Sequence, residues 1–167
     1  MRPEQWIKNL FVFTALVFSK NLFNLSKDIE ALVGFLIFCM ITGCTYLIND
    51  LADLEKDKLH PTKSQRPIAS GKLKKTSAIM VITSVCCAGF FIAFYTNLFF
   101  GIIVLSYFLL NIGYSLYLKS IVIIDVITIA AGFVLRVLGG AVIISVTPSQ
   151  WLILCTILLA LFLGFSK

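Results

Sequence analysis

Residues 49–71 read NDLADLEKDKLHPTKSQRPIASG, a polar stretch with long apolar runs on both sides. Four acidic residues (Asp50, Asp53, Glu55 and Asp57) are gathered there with four basic ones (Lys56, Lys58, Lys63 and Arg66). Asn49, Asp50, Asp53 and Asp57 are spaced i, i+1, i+4 and i+8. If the helix that feeds this segment continues past the apolar run, Asn49, Asp53 and Asp57 form one stripe, each a turn apart, with Asp50 beside it. Carboxylates at a helix C-terminus repel one another and face the negative end of the macrodipole, at a cost of about 0.3–1 kcal/mol each. A cation has to offset them. Lys56 and Lys58 are one source, which would make the cluster a solvated helix end and nothing more. Mg2+ is the other, since it accepts one or two carboxylates and completes its shell with water and phosphate oxygens. Carboxylates followed by Lys63, Arg66 and a glycine-containing turn suit a metal-bridged diphosphate, so the chemistry expected here is phosphate chemistry.

The elements that position this segment are written in the hydropathy. The 167 residues are 59% hydrophobic and only 13% charged, where a soluble domain carries about 25% charged residues. Several apolar runs approach or exceed the roughly 18–20 residues that cross a bilayer. None alternates as a β-barrel strand would. The expected fold is therefore all-α, a polytopic transmembrane bundle of about six helices forming one domain over 1–167. The helices are expected near 10–18 (short, tilted or partly inserted), 29–48, 78–95, 98–118, 121–146 and 150–165. Ser26-Lys27-Asp28 reads as an N-cap region, Thr96-Asn97 as a break, and Thr147-Pro148-Ser149 as the cap of the last helix. Pro61 and Pro67 make 49–75 a loop or broken helix.

Half of the fourteen Lys and Arg residues fall between Lys56 and Lys75, the signature of a cytoplasmic membrane face rather than of nucleic-acid binding. The positive-inside rule puts the N-terminus and the 49–75 loop in the cytoplasm of a multi-pass cell-membrane protein. The five cysteines lie in apolar runs without a CxxC pair and read as core residues. His60 has no sequence partner and reads as loop structure. Gly139-Gly140 reads as a close helix contact.

Two charges lie inside the membrane, Asp125 and Arg136. Eleven residues apart on one helix, they share a face roughly 16 Å apart and are expected to look into the bundle or an aqueous cavity. Asp125 lies near the acidic loop and is placed to join its site. For Arg136, pairing with polar groups of a neighbouring helix and contact with substrate are equally weighted. Tyr114, Ser115 and Lys119 end the fourth helix on the side of the acidic loop, where Lys119 is either a topology determinant or a phosphate contact.

NDLADLEKD followed by QRPIASG resembles the NDxxDxxxD…RPxxSG signature of the UbiA superfamily of intramembrane prenyltransferases. MRPEQWIKN, HPTKSQRPIASG, YSLYLKSIVIID and FVLRVLGG further resemble its decaprenyl-phosphate phosphoribosyltransferase branch, along essentially the whole chain. The resemblance implies a UbiA-like bundle, of which this chain would be the N-terminal two-thirds or less, because the superfamily's second acidic motif has no clear counterpart. It implies Mg2+-diphosphate binding by Asn49, Asp50, Asp53 and Asp57, with Lys63 and Arg66 on phosphate and Lys8, Asn9, Tyr114 and Lys119 as further phosphate contacts. Asp125 and Arg136 complete the candidate substrate-binding set. The implied reaction moves 5-phosphoribose from phosphoribosyl diphosphate to a polyprenyl phosphate. Prenyl transfer from an allylic diphosphate to a lipophilic acceptor is the alternative, and an inactive fragment binding lipid or ion is a third. The partners so implied are a polyprenyl lipid, a phosphorylated small molecule and the bilayer, with no nucleic acid and with homo-oligomerisation open.

Overall fold

A computed structural model describes residues 3–117 and 121–166, without the side chains of residues 3–5 and 122. Every regular element among the described residues is helical. A 3-10 helix, Pro3–Phe13, runs into α1 (Thr14–Phe18) and is followed by α2 (Leu25–Ala52) and α3 (Leu54–Leu59). A 3-10 turn, Lys63–Gln65, precedes α4 (Lys75–Thr96), α5 (Leu98–Leu116), α6 (Val122–Ile143) and α7 (Gln150–Phe165).

Helices α2, α4, α5 and α6 are long and apolar enough to cross a membrane, whereas Trp6–Phe18 and Gln150–Phe165 are shorter apolar helices. The six expected helices are all present, but the first and last fall short of a full straight span. The first is short because Ser19, Lys20 and Asn21 halt it. Lys20 takes a left-handed backbone (φ 59°), and the Asn21 amide donates to the Ser19 carbonyl and hydroxyl.

Boundaries elsewhere follow from caps. Asn24, rather than Ser26, opens α2, its side-chain oxygen accepting from the backbone N–H groups of Ser26 and Lys27 at 3.2 and 3.5 Å. Asn97 both ends α4 and caps α5, accepting from Phe99 N at 2.8 Å and Phe100 N at 3.2 Å. The His60 backbone is extended, as the residue before a proline must be, and α3 stops there.

The hydrophobic windows of α2 and α6 are 56% and 61% buried, against 28% for α4 and for α5. The first two are therefore the central helices. Around them pack α4, α5, α7 and the N-terminal helical segment. Their shared core includes Val12, Ile37, Phe38, Ile41, Phe100, Val104 and Tyr107. Large apolar side chains left on the outside, such as Phe91, Tyr95, Phe99, Trp151 and Phe162, are the lipid-facing surface of a multi-pass bundle.

The glycine pair on α6 sets the closest approach. A Cβ on Gly140 would sit 2.0 Å from the Val12 carbonyl oxygen, and one on Gly139 would sit 2.7 Å from the Phe38 ring. The N-terminal segment is thereby held against α6, with Phe11 edge-on to Phe133 at 4.8 Å. Of the cysteines, Cys39, Cys44 and Cys86 are buried as expected. Cys87 and Cys155 lie exposed on the outer surface, a correction to the reading of all five as core.

Candidate functional site

Past the last membrane turns of α2 the chain stays helical through Ala52, carrying Asn49 and Asp50 into the polar segment. There it breaks at Asp53 and restarts as α3, so the helical stripe expected through Asn49, Asp53 and Asp57 is replaced by a different grouping. Asp50 and Asp57 are the buried members, 7% and 3% exposed. Both meet the same guanidinium nitrogen: Arg66 Nη1 donates to Asp50 Oδ1 at 3.1 Å and to Asp57 Oδ2 at 2.5 Å.

Arg66 reaches them because a small apolar core holds the loop down. Ile68, Leu54 and Ala78 are buried together against Leu47, Leu51 and Leu73. Pro67 keeps Arg66 extended. Gly71, at φ 77°, turns the chain so that Leu73 N can donate to the Pro67 carbonyl at 2.8 Å.

The cation that offsets this acidic pair is thus neither of the neighbouring lysines. Lys58 instead pairs at the surface with Glu55, at 2.9 Å, and holds that carboxyl below its usual range. Lys63 is exposed on the turn that precedes Arg66. His60 braces the loop, its Nδ1 accepting from Thr62 N at 3.3 Å and Lys63 N at 3.5 Å, as its reading as loop structure anticipates. Two carboxylate oxygens gathered on one cationic nitrogen are a donor set that fits a hard divalent ion. No group of three or more His, Cys, Asp or Glu residues able to hold a metal occurs among the described residues. Mg2+ does not require such a cage, because it keeps waters and takes substrate phosphates as ligands.

At Asn49, the residue before Asp50, α2 and α5 are joined by a side-chain bond, Ser115 Oγ donating to Asn49 Oδ1 at 2.5 Å. Beneath it opens a cavity of about 620 Å3 between α2, α5, α6, α7 and the N-terminal segment. Its polar lining includes Lys8, Tyr46, Asn111, Tyr114, Thr128 and Arg136. Tyr114 is hydrogen-bonded to Asp125, which ties the end of α5 to the start of α6.

Arg136, also in the lining, is 6% exposed. Its Nε donates to Asn9 Oδ1 at 2.8 Å, its Nη1 to the Gly132 carbonyl at 2.9 Å and its Nη2 to the Tyr107 hydroxyl at 2.6 Å. Thr42 completes the cluster, donating to Asn9 Oδ1 at 3.4 Å and lying 3.1 Å from the Tyr107 hydroxyl.

Two groups of the candidate residues are therefore brought together: Asp50, Asp57 and Arg66 at the loop, and Lys8, Tyr114 and Arg136 around the cavity. Asn9 is fully buried and acts on Arg136 rather than on the cavity, whose lining does not include it. Asp125 is not in the cavity lining but is hydrogen-bonded to Tyr114, which is. Asp53 sits at the break between α2 and α3, outside the Arg66 pair. Lys119 lies outside the described residues. Sequence reading missed Thr42, Tyr46, Tyr107, Asn111 and Thr128, each a neutral polar residue in an apolar helix.

Fold and site together define a helical membrane bundle with an acidic pair at the end of one long apolar helix and a cavity with polar side chains among the helices. The chain belongs to the UbiA prenyltransferase family, whose model matches residues 10–166. It is 31% identical over 171 residues to a decaprenyl-phosphate phosphoribosyltransferase of Corynebacterium glutamicum, covering all of this chain and 52% of that protein. It is 32% identical over 171 residues to the enzyme of the same name from Mycolicibacterium smegmatis, covering all of this chain and 54% of that protein. A digeranylgeranylglyceryl phosphate synthase of Methanococcus maripaludis is 27% identical over 145 residues, 87% of this chain and 50% of that protein. The chain thus spans about half the length of these curated relatives.

Proposed function

We propose that this chain forms the donor-binding part of a transferase that moves 5-phosphoribose from phosphoribosyl diphosphate to a polyprenyl phosphate, with the acidic loop on the cytoplasmic face. The observation that carries this reading is the convergence of buried Asp50 and Asp57 on Arg66 at the end of α2, the helix whose Tyr46 lines the cavity one turn further in. Relatives named as decaprenyl-phosphate phosphoribosyltransferases support the choice of substrates.

In this reading Asp50 and Asp57 would hold Mg2+, which when bound neutralises diphosphate charge and acts as a Lewis acid. Arg66, released from the carboxylates, and exposed Lys63 would bind the diphosphate oxygens and stabilise the charge that builds on them. Bond making and breaking are simple. An oxygen of the lipid phosphate attacks carbon one of the ribose, and the bond from that carbon to the diphosphate breaks, its electron pair leaving with the diphosphate. The nucleophile is already anionic, so no side chain has to take a proton. That fits a site whose only histidine is engaged in its own loop.

The deciding experiment reconstitutes the purified chain in lipid and supplies labelled phosphoribosyl diphosphate with a polyprenyl phosphate. Label in the lipid fraction that requires Mg2+ and disappears in Asp50→Asn and Asp57→Asn is the expected result. Transfer from an allylic diphosphate but not from phosphoribosyl diphosphate would reject the proposed donor.

A further inference from the structure

Two of the buried cysteines meet where α2 packs against α4. Cys44 is fully buried, and its Sγ donates to the Ile82 carbonyl at 3.8 Å. Cys86 follows Ile82 by one turn of α4, and helical side chains lean back over the turn that precedes them. Its sulfur therefore falls where Cys44 already points, and the two thiols are hydrogen-bonded to each other. The seam is held in register one turn further along, where Ile41 comes within 3.1 Å of the place a Cβ on Gly89 would take. The remaining buried cysteine, Cys39, is engaged instead by the Asn9 amide, which donates to its sulfur at 3.3 Å.

Two thiols in contact across a helix pair can hold a metal or join to each other. A structural zinc takes four ligands. No group of three or more His, Cys, Asp or Glu residues able to hold a metal occurs among the described residues. A disulfide needs only the two sulfurs and is uncharged, so it brings no charge into an apolar seam within a membrane span.

We propose that Cys44 and Cys86 are a modification site, an oxidisable pair that forms a disulfide between α2 and α4 and closes residues 44–86 into a ring. The segment so closed contains the whole acidic loop, with Asp50, Asp57 and Arg66. Cys44 lies six residues before Asp50, about 9 Å along α2. Cys86 lies eight residues after Ala78, about 12 Å along α4, and Ala78 packs with Ile68 in the small core that holds the loop down. The bond would thus fasten together the two helices from which the loop springs. The oxidant is a small uncharged peroxide, which enters from the lipid beside Cys86, itself 9% exposed and next to exposed Cys87. One thiol takes an oxygen from the peroxide and becomes a sulfenic acid, and one water leaves. The sulfur of the second thiol displaces the hydroxyl, the S–S bond forms, and a second water carries off the remaining proton. The two sulfurs together lose two electrons, and the peroxide gains them. The crosslink depends on the helices alone and not on what the loop binds.

The test uses the full chain in phosphatidylcholine nanodiscs, one chain per disc, with Cys87→Ser and Cys155→Ser removing the exposed thiols. After hydrogen peroxide, trypsin cuts the loop at its exposed lysines, Lys56, Lys63 and Lys72 among them. The pieces carrying Cys44 and Cys86 are then followed on a denaturing gel. They should stay joined without reductant and part with it. Pieces already joined before peroxide, and parted by reductant, would support the same bond. Peroxide-treated Cys44→Ala and Cys86→Ala should each give separate pieces, and either variant suffices where the other fails to fold. Maleimide added after denaturation should find one thiol, Cys39, where the reduced background offers three. Closing a ring of this length should also raise the melting temperature by roughly 8–16 °C, reversed by reductant. Pieces that part without reductant after peroxide, a link that survives in both alanine variants, or a melt that peroxide does not raise would overturn the proposal.

Discussion

Replacing Arg66 with glutamine removes a cation that Asp50 and Asp57 share. Their side chains are 9% and 4% exposed, so little water is available to take over from the guanidinium. Breaking a buried ion pair from one side costs about 3–5 kcal/mol. Arg66 is itself 22% exposed, which places the expected loss at the lower end, about 3 kcal/mol. For a chain of 167 residues that corresponds to a melting temperature lowered by roughly 6–12 °C. A divalent cation should then substitute for the lost charge. At a hundred-fold excess over its dissociation constant a ligand restores about 2.7 kcal/mol, nearly the whole deficit. Thermal melts of detergent-purified protein with and without Mg2+ would read this. Arg66→Gln is expected to melt early in chelator and to recover strongly with Mg2+, while the wild type, with Arg66 in place, shifts less. Equal Mg2+ shifts in the two proteins, or a variant as stable as wild type in chelator, would refute the view that Arg66 holds the position of a metal.

Other substitutions probe the supports of the site. Gly140→Ala forces a methyl group onto the Val12 carbonyl and should separate the N-terminal segment from α6, costing about 1–3 kcal/mol in the same melting assay. Ser115→Ala removes the hydroxyl that joins α5 to Asn49 and should cost about 1 kcal/mol while weakening Mg2+ recovery in the Arg66→Gln background. Asn97→Ala takes away the side chain that caps α5 and should cost about 1 kcal/mol, with diphosphate binding unchanged. Lys58→Met breaks only a surface pair with Glu55 and should leave both the melt and Mg2+ recovery as they are, in contrast to Arg66→Gln.

The acidic end of the site was legible in the sequence because charge stands out against apolar helices. Asp50, Asp57 and Arg66 all fall within seventeen residues of chain, and the two prolines between α3 and α4 mark where the chain must bend. Which carboxylates would converge was not legible. An uninterrupted helix favours Asn49, Asp53 and Asp57, and only the break at Asp53 exchanges that stripe for the Asp50–Asp57 pair. No strong breaker marks this position. Its neighbours are Ala52 and Leu54, and the apolar contacts of Leu54 with Ile68 and Ala78 bring together residues distant along the chain.

The cavity end was harder to read for the opposite reason, since its polar members are mostly neutral and come from three helices and the N-terminal segment. The partners of Arg136 lie 127 and 29 residues away along the chain. A signal was nonetheless present in the helical periodicity. Thr42, Tyr46 and Asn49 recur on α2 at intervals of four and three, Tyr107, Asn111 and Tyr114 repeat that spacing on α5, and Asp125, Thr128, Gly132 and Arg136 follow it on α6. Each set is one polar stripe down an otherwise apolar helix. A polar group in a membrane span is tolerated where it meets another or lines an aqueous space. Facing one another, the three stripes satisfy each other and set polar side chains into a lining that also includes Leu110, Ile129, Phe133 and Leu163. Tyr46 and Tyr114, each within a turn of the Asn49–Ser115 bond, line that space together with Arg136, so the cavity begins one helical turn from the acidic pair.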